Sequence, residues 1–195
     1  MNYSEIKYCD IANGAGVRTT LFVSGCRRHC PFCFNEVAWK FTAGKPFTKD
    51  VEDAIIESME PFYVDGLSVL GGEPMEPENQ RGLVDFLERV KKTYPEKPIW
   101  LYSGFTYEEL AGTEPVHAPY TESPRTEVTD RILKTLSVLV DGPFIQAKKD
   151  ISLRFRGSSN QRLLDMPKTL STGKAVLWHD DPVFETVNVK QIFHW

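Results

Sequence analysis

The order of predicted elements along the chain is the feature that most restricts its fold. Apolar runs at 17–24, 66–70, 98–102 and 136–140 predict strands, each ending at a glycine-containing turn, and helical periodicity follows the earlier ones. Strands that alternate with helices form parallel sheets with right-handed crossovers, either open or curved towards a barrel. A full eightfold barrel usually needs about 250 residues, and this chain has 195. The sequence therefore predicts one α/β domain built as a partial (β/α) parallel barrel.

Two regions fall outside this repeat. Residues 112–126 carry three prolines and predict a flexible surface insertion. Apolar runs at 175–178 and 186–189 predict two late strands.

Residues suited to ligand binding follow the predicted strands. A cysteine-rich loop follows the first strand, Gly71-Gly72-Glu73 the second, Ser103 the third and Asp141 the fourth. In parallel α/β folds the loops at the carboxyl ends of the strands line one face, and ligands bind there. We therefore expect these four loops to form one site.

The charge balance excludes some classes of partner. The chain has 23 basic and 27 acidic side chains, a formal net charge of -4, which gives no reason to expect a nucleic acid or an anionic membrane as partner. No apolar run is long enough for a membrane span, and the first residues lack the apolar core of a signal peptide. We expect a soluble, cytoplasmic protein.

Three of the four cysteines, Cys26, Cys30 and Cys33, lie within eight residues, and Cys9 is the fourth. This spacing is unlike that of a disulfide framework and favours a metal site. One alternative is structural zinc, with Cys9 completing four ligands. The other is a 4Fe-4S cluster, in which three cysteines leave one iron open to a small-molecule chelator.

The motifs themselves resemble a known group. A C-x3-C-x2-C loop after the first strand, followed by Gly-Gly-Glu after the second, resembles the radical S-adenosylmethionine enzymes. The segments 10–18, 21–26, 33–35, 140–142 and 156–161 resemble the activating enzymes of anaerobic ribonucleotide reductase. The resemblance covers residues 1–163, except the insertion at 112–126, and leaves 164–195 as a C-terminal extension. One departure is Phe32, which stands where these activases often have glycine.

The resemblance implies a partial barrel of the radical S-adenosylmethionine type and a specific chemistry. Cys26, Cys30 and Cys33 would hold a 4Fe-4S cluster, and S-adenosylmethionine would chelate the fourth iron. An electron from flavodoxin or ferredoxin would cleave it to a 5′-deoxyadenosyl radical, which abstracts hydrogen from a glycine of the large reductase subunit. The alternatives are an activase of another glycyl-radical enzyme, such as pyruvate formate-lyase, and a non-catalytic, zinc-stabilised binding module.

The resemblance also implies two sets of site residues. Those expected to bind S-adenosylmethionine are Phe32, Cys33, Phe34, Gly71, Gly72, Glu73, Ser103 and Asp141. Those expected to contact the partner protein are Asn13, Arg18, Arg154, Arg156 and Asn160. Each set has a structural alternative: a plain turn at Gly-Gly-Glu, core packing for Phe34, helix or turn caps at Ser103 and Asp141, structural contacts within the chain for Asn13 and Arg18, and a solvated loop for 153–162.

Overall fold

The computed structural model describes residues 1–33 and 35–180, and these residues form one mixed α/β unit around a single sheet. The strands are β1 (Asn2–Asp10), β2 (Arg18–Val23), β3 (Lys45–Pro46), β4 (Gly66–Gly71), β5 (Ile99–Tyr102), β6 (Val138–Asp141) and β7 (Arg162–Asp165). The helices are α1 (Lys49–Ser58), α2 (Pro77–Thr93), α3 (Tyr107–Ala111), α4 (Thr129–Thr135) and α5 (Met166–Thr172). Short 3-10 turns occupy Glu36–Trp39 and Gln146–Lys148.

The centre of the sheet confirms the predicted parallel strands. The strand order is β3-β1-β2-β4-β5-β6-β7, and β2, β4, β5 and β6 are mutually parallel neighbours. The flanking strands β1, β3 and β7 pair antiparallel. The sheet is not closed, and its curvature towards a barrel stays a prediction.

The flanking strands had weak sequence signals. Strand β1 lies largely open to solvent and its register is interrupted twice, so its sequence lacks a regular apolar face. The predicted strand at 175–178 is wrong in extent, because this segment forms a single bridge, Leu177 with Leu164. The run at 186–189 lies outside the described residues. The sheet also continues past residue 163, since β7 ends at Asp165 and the buried Met166 opens α5.

The two faces of the sheet are covered differently. Alternate residues of β5 show this: Ile99 and Leu101 belong to the main core, which all five helices contribute to, whereas Trp100 belongs to a smaller cluster on the other face. That cluster is packed by loop residues, among them Phe155 and Trp178. Helices therefore support one face of the sheet and loops cover the other.

The predicted insertion is tied to the body of the protein. Residues 112–126, all described, contain no helix or strand. The Tyr120 hydroxyl donates to Glu76 at 2.6 Å, the Gln80 amide donates to the carbonyl of Pro124 at 2.7 Å, and the His117 N–H donates to Glu109 at 2.6 Å. The segment is thus bonded to α2 and α3.

Arg18, a candidate for either a partner contact or a structural contact, lies buried at the start of β2. Its guanidinium donates to Ser68 Oγ at 2.7 Å and to the carbonyls of Ala15, Leu67 and Pro98 at 3.1, 2.7 and 2.8 Å. It also lies against the Trp100 ring, 5.3 Å from its centroid. Burial lowers the pKa of Arg18 to about 10, so the side chain keeps its charge at neutral pH.

Replacing Arg18 by methionine should therefore destabilise the fold. The variant leaves buried oxygens without a donor, and we expect a loss on the order of 3 kcal/mol in the free energy of unfolding. Anaerobic urea denaturation measures this. Arg131→Met is the control, because its pairs with Asp85 and Glu88 are on the surface and its midpoint should stay near wild type. An Arg18→Met protein of unchanged stability would contradict the structural assignment.

Candidate active site

A cavity of about 600 Å³ opens where the parallel strands end. Cys26 follows β2, Gly72 and Glu73 follow β4, Ser103 follows β5 and Gly142 follows β6, and all five line it. The convergence follows from the parallel pairing, which brings the carboxyl ends of these strands to one edge. The loop 149–157 contributes further lining from the face without helices.

Most of the residues predicted from the sequence line this cavity. They are Asn13, Cys26, Cys30, Phe32, Cys33, Gly71, Gly72, Glu73, Ser103 and Arg156. The residues not brought to the lining are Arg18, Asp141, Arg154 and Asn160. Phe34 lies outside the described residues.

The three cysteines of the loop are free thiols, each partly exposed and each facing the cavity. Among the described residues, no three His, Cys, Asp or Glu side chains are gathered closely enough to bind one metal ion. A 4Fe-4S cluster does not need that convergence, because each cysteine binds a different iron. Three free thiols on one cavity wall are the donor set that such a cluster with one open iron requires.

The backbone of the cysteine loop adopts conformations that L-residues rarely take. His29 has φ +46° and Phe32 has φ +61°. Glycine adopts such φ values without strain, which explains why glycine suits the position of Phe32 in the enzymes that this chain resembles. The His29 ring packs on Trp39 with centroids 4.5 Å apart, whereas the Phe32 ring is 76% exposed. Phe32 therefore presents its ring to solvent at the cavity.

Arg27 fastens the cysteine loop to the start of α2. Its backbone N–H donates to Glu76 Oε1 at 2.7 Å, its Nη1 donates to Glu76 Oε2 at 2.6 Å, and its Nη2 pairs with Glu78 at 2.5 Å. Glu76 is 1% exposed and also accepts from Tyr120. This tether was not predicted from the sequence, because Glu76 lies 49 residues away in the chain.

Glu73 joins the loop after β4 to the loop after β5. It is 2% exposed, and its oxygens accept from Met75 N–H at 2.9 Å, Ser103 Oγ at 2.8 Å and Gly104 N–H at 2.7 Å. Burial raises the pKa of Glu73, while the charge of Arg28 and these hydrogen bonds act in the opposite direction. Ser103 thus orients Glu73, a role that sequence analysis did not assign to it.

The glycines before Glu73 are required by geometry. Gly71 has φ +113°, a backbone conformation that side chains disfavour. A Cβ atom on Gly72 would lie 2.5 Å from the carbonyl oxygen of Gly25, at the start of the cysteine loop. The two loops therefore touch through their backbones, and a side chain here would push them apart.

Asp141 has a structural environment. It is fully buried, accepts the Tyr107 N–H at 2.7 Å, and pairs with Arg162, whose Nε and Nη2 lie 2.9 and 2.5 Å from its two oxygens. Burial raises the pKa of Asp141, against the effect of Arg162. Both carboxylate oxygens thus have protein partners, and the side chain links the start of α3 to β7.

Of the other four residues predicted to contact the partner, two line the cavity and two do not. Asn13 lines the cavity, and its Nδ2 donates to Asp10 at 2.6 Å. Arg156 also lines it, and its Nη1 donates to the carbonyl of Gln161 at 2.9 Å. Arg154 pairs with Asp180, and the Asn160 Nδ2 donates to the carbonyl of Pro143 at 2.7 Å. Asn13 and Arg156 are the two of this set that can meet a bound molecule.

The thiols of the metal-free protein should differ in reactivity. Burial, with a smaller contribution from Glu73, raises the pKa of Cys26 to about 12, whereas Cys9 is exposed. Since the thiolate is the nucleophile, we expect iodoacetamide at pH 8 to modify Cys9 first and Cys26 last, as followed by peptide mass spectrometry. Urea-unfolded protein, in which the four thiols react alike, is the control. Equal rates for Cys9 and Cys26 in the folded protein would contradict this.

Comparison with known proteins identifies the family. Residues 12–164 match the family described as a 4Fe-4S single cluster domain. The anaerobic ribonucleoside-triphosphate reductase-activating protein of Escherichia coli strain K12 is 40% identical over 163 residues, which cover 83% of this chain and 96% of the relative. The proteins of that name from Vibrio cholerae and Enterobacteria phage T4 are 39% and 33% identical, over 83% and 84% of this chain and 96% and 93% of theirs. This chain therefore belongs to the anaerobic ribonucleoside-triphosphate reductase-activating proteins, within the 4Fe-4S single cluster domain family.

Proposed function

We propose that this protein is a glycyl-radical activating enzyme, with residues 1–163 as its catalytic part. It cleaves S-adenosylmethionine reductively at a 4Fe-4S cluster and generates a glycyl radical on the large subunit of anaerobic ribonucleoside-triphosphate reductase. The observation that carries the proposal is that three free thiols line the same cavity as Gly72 and Glu73. Relatives named as activators of that reductase, aligned over 83% of the chain, support the choice of partner.

The residues of the site divide into two groups by their chemistry. Cys26, Cys30 and Cys33 would hold three irons, leaving the fourth for the amino and carboxylate groups of S-adenosylmethionine. Glu73 is a carboxylate suited to accept hydrogen bonds from the amino group of that ligand, and Ser103 holds Glu73 in place. When bound, the cluster and S-adenosylmethionine would supply radical chemistry that begins with one electron from an external donor and ends with hydrogen abstraction from the partner's glycine.

The protein's own part in the reaction is binding, orientation and exclusion of water. The cavity of about 600 Å³ is of the size that binds a small molecule. Two lining residues, Asn13 and Arg156, are available to an extended glycine-containing segment of the partner. Flavodoxin or ferredoxin is the proposed source of the electron. Among the helices that the structure describes, none has both the length and the apolar character that a membrane span requires.

The thiols provide a direct test of the cluster. Changing Cys26, Cys30 or Cys33 to alanine should reduce anaerobic release of 5′-deoxyadenosine to background, because a three-cysteine cluster has no spare protein ligand. Cys9→Ala is the matched control and should retain wild-type release, since Cys9 does not line the cavity. Iron and sulfide analysis of each variant measures cluster content directly. Full release by Cys30→Ala, or zinc in place of iron and sulfide in the wild type, would refute the cluster.

The choice of partner is tested separately. Incubation of the reconstituted protein with S-adenosylmethionine, a reductant and the large reductase subunit should produce a glycyl radical, detected by electron paramagnetic resonance. Pyruvate formate-lyase replaces the reductase in the comparison reaction and should give no radical. A signal with the lyase and none with the reductase would reverse the assignment while preserving the cluster chemistry.

A further inference from the structure

A second arginine of the cysteine loop, Arg28, lies in the cavity wall. It follows Arg27 directly, but the two side chains have different surroundings: that of Arg27 is about half exposed, whereas Arg28 is 7% exposed and lines the cavity. A charged side chain is rarely buried to this extent without a partner that offsets its lost hydration.

The guanidinium of Arg28 lies against two neighbouring aromatic rings. Its Cζ lies 4.8 Å from the ring centroid of Phe105 and 4.9 Å from that of Tyr120, and those two centroids are 4.4 Å apart. A Cβ atom on Gly104 would lie 2.4 Å from Arg28 Nε, so the arginine also packs closely on this backbone. These contacts fix the plane of the guanidinium, and cation–π attraction stabilises its charge.

The aromatic contacts do not provide hydrogen-bond acceptors for two of the donor nitrogens of Arg28. Its Nε and Nη2 are buried, and neither has a hydrogen-bond partner among the residues that the structure describes. Buried donors without acceptors are rare in native proteins and costly. Two unpaired N–H donors on one planar group match the geometry of a carboxylate, which binds arginine through two parallel hydrogen bonds.

A group of opposite charge lies on the same cavity. The positive charge of Arg28 acts to lower the pKa of Glu73, against the effect of burial, and both residues line the cavity. The carboxylate of Glu73 takes its hydrogen bonds from Ser103, Gly104 and Met75, and none from Arg28. The wall thus presents a cation and an anion that do not neutralise each other by direct hydrogen bonding. This arrangement is complementary to the carboxylate and amino groups at the end of an α-amino acid.

We propose that Arg28 binds the carboxylate of the methionyl group of S-adenosylmethionine, opposite the amino group assigned to Glu73. This inference rests on the proposed function, since it names a residue that recognises the same ligand. It also assigns a role to the insertion. Tyr120 supplies one of the two rings that contact Arg28, and its hydroxyl donates to Glu76, which also accepts from Arg27. Segment 112–126 thus supports the cysteine loop from behind.

The test compares S-adenosylmethionine with its decarboxylated analogue. Dissociation constants of both would be measured by anaerobic equilibrium dialysis with reconstituted wild type and Arg28→Met. We expect Arg28→Met to weaken the binding of S-adenosylmethionine by about tenfold or more, the effect of a lost charge-assisted hydrogen bond. The affinity for the analogue should stay unchanged. For each protein we take the ratio of the dissociation constant of the analogue to that of S-adenosylmethionine. Iron chelation contributes equally in both proteins, so it cancels when the two ratios are compared.

Two further variants guard against a general loosening of the loop. Arg27→Met removes the same charge from the adjacent position and should keep the wild-type ratio, because its guanidinium pairs with Glu76 and Glu78. Tyr120→Leu removes one of the two rings that contact Arg28 while leaving the arginine itself in place, and it should lower the ratio of analogue to S-adenosylmethionine dissociation constants. Iron content and circular dichroism report whether each variant is folded and loaded.

The outcomes separate the two proposals. A wild-type ratio in Arg28→Met, or equal weakening of both ligands by it, would overturn the inference and leave the proposed function in place. A ratio that falls in Arg27→Met as far as it falls in Arg28→Met would also overturn the inference. Failure of the loaded wild type to bind S-adenosylmethionine at all would overturn the proposed function, and the inference with it.

Discussion

Two buried carboxylates in the loop after β4 hold the site together. Glu73 accepts hydrogen bonds from Ser103 and Gly104 of the loop after β5. Glu76 accepts from Arg27 in the cysteine loop and from Tyr120 in the insertion. Three segments that are distant in sequence are therefore joined through one short turn. The three thiols can line one cavity because this turn fixes the loop that carries them.

The sequence was most informative where one residue type has one dominant physical use. The parallel strands were predictable because β-branched and apolar residues are concentrated in them between glycine-containing turns. The position of the site was predictable because loops after parallel strands share an edge. The three cysteines were predictable as a group, since their spacing is independent of the rest of the fold.

Sequence reasoning failed where the partner of a side chain decides its role. Asp141 follows a strand as a ligand-binding residue would, but Arg162, 21 residues later, occupies its carboxylate. For Arg18 the sequence left a partner contact and a structural role both open, and only the structure shows that carbonyls of three segments of this chain use its donors. Arg28 was overlooked, because only the three-dimensional structure shows that two of its buried donors have no acceptor in the part of the chain that the structure describes.

The unequal covering of the sheet has a further consequence. The main core lies between the sheet and its helices, whereas the cavity opens among strand ends and loops on the other side. Substitutions in the loops at 10–17 and 144–161 can change the cavity wall without altering the packing of that core. Part of the cavity wall can thus vary independently of the main core, so a family built on this scaffold can acquire a new protein target while keeping that core.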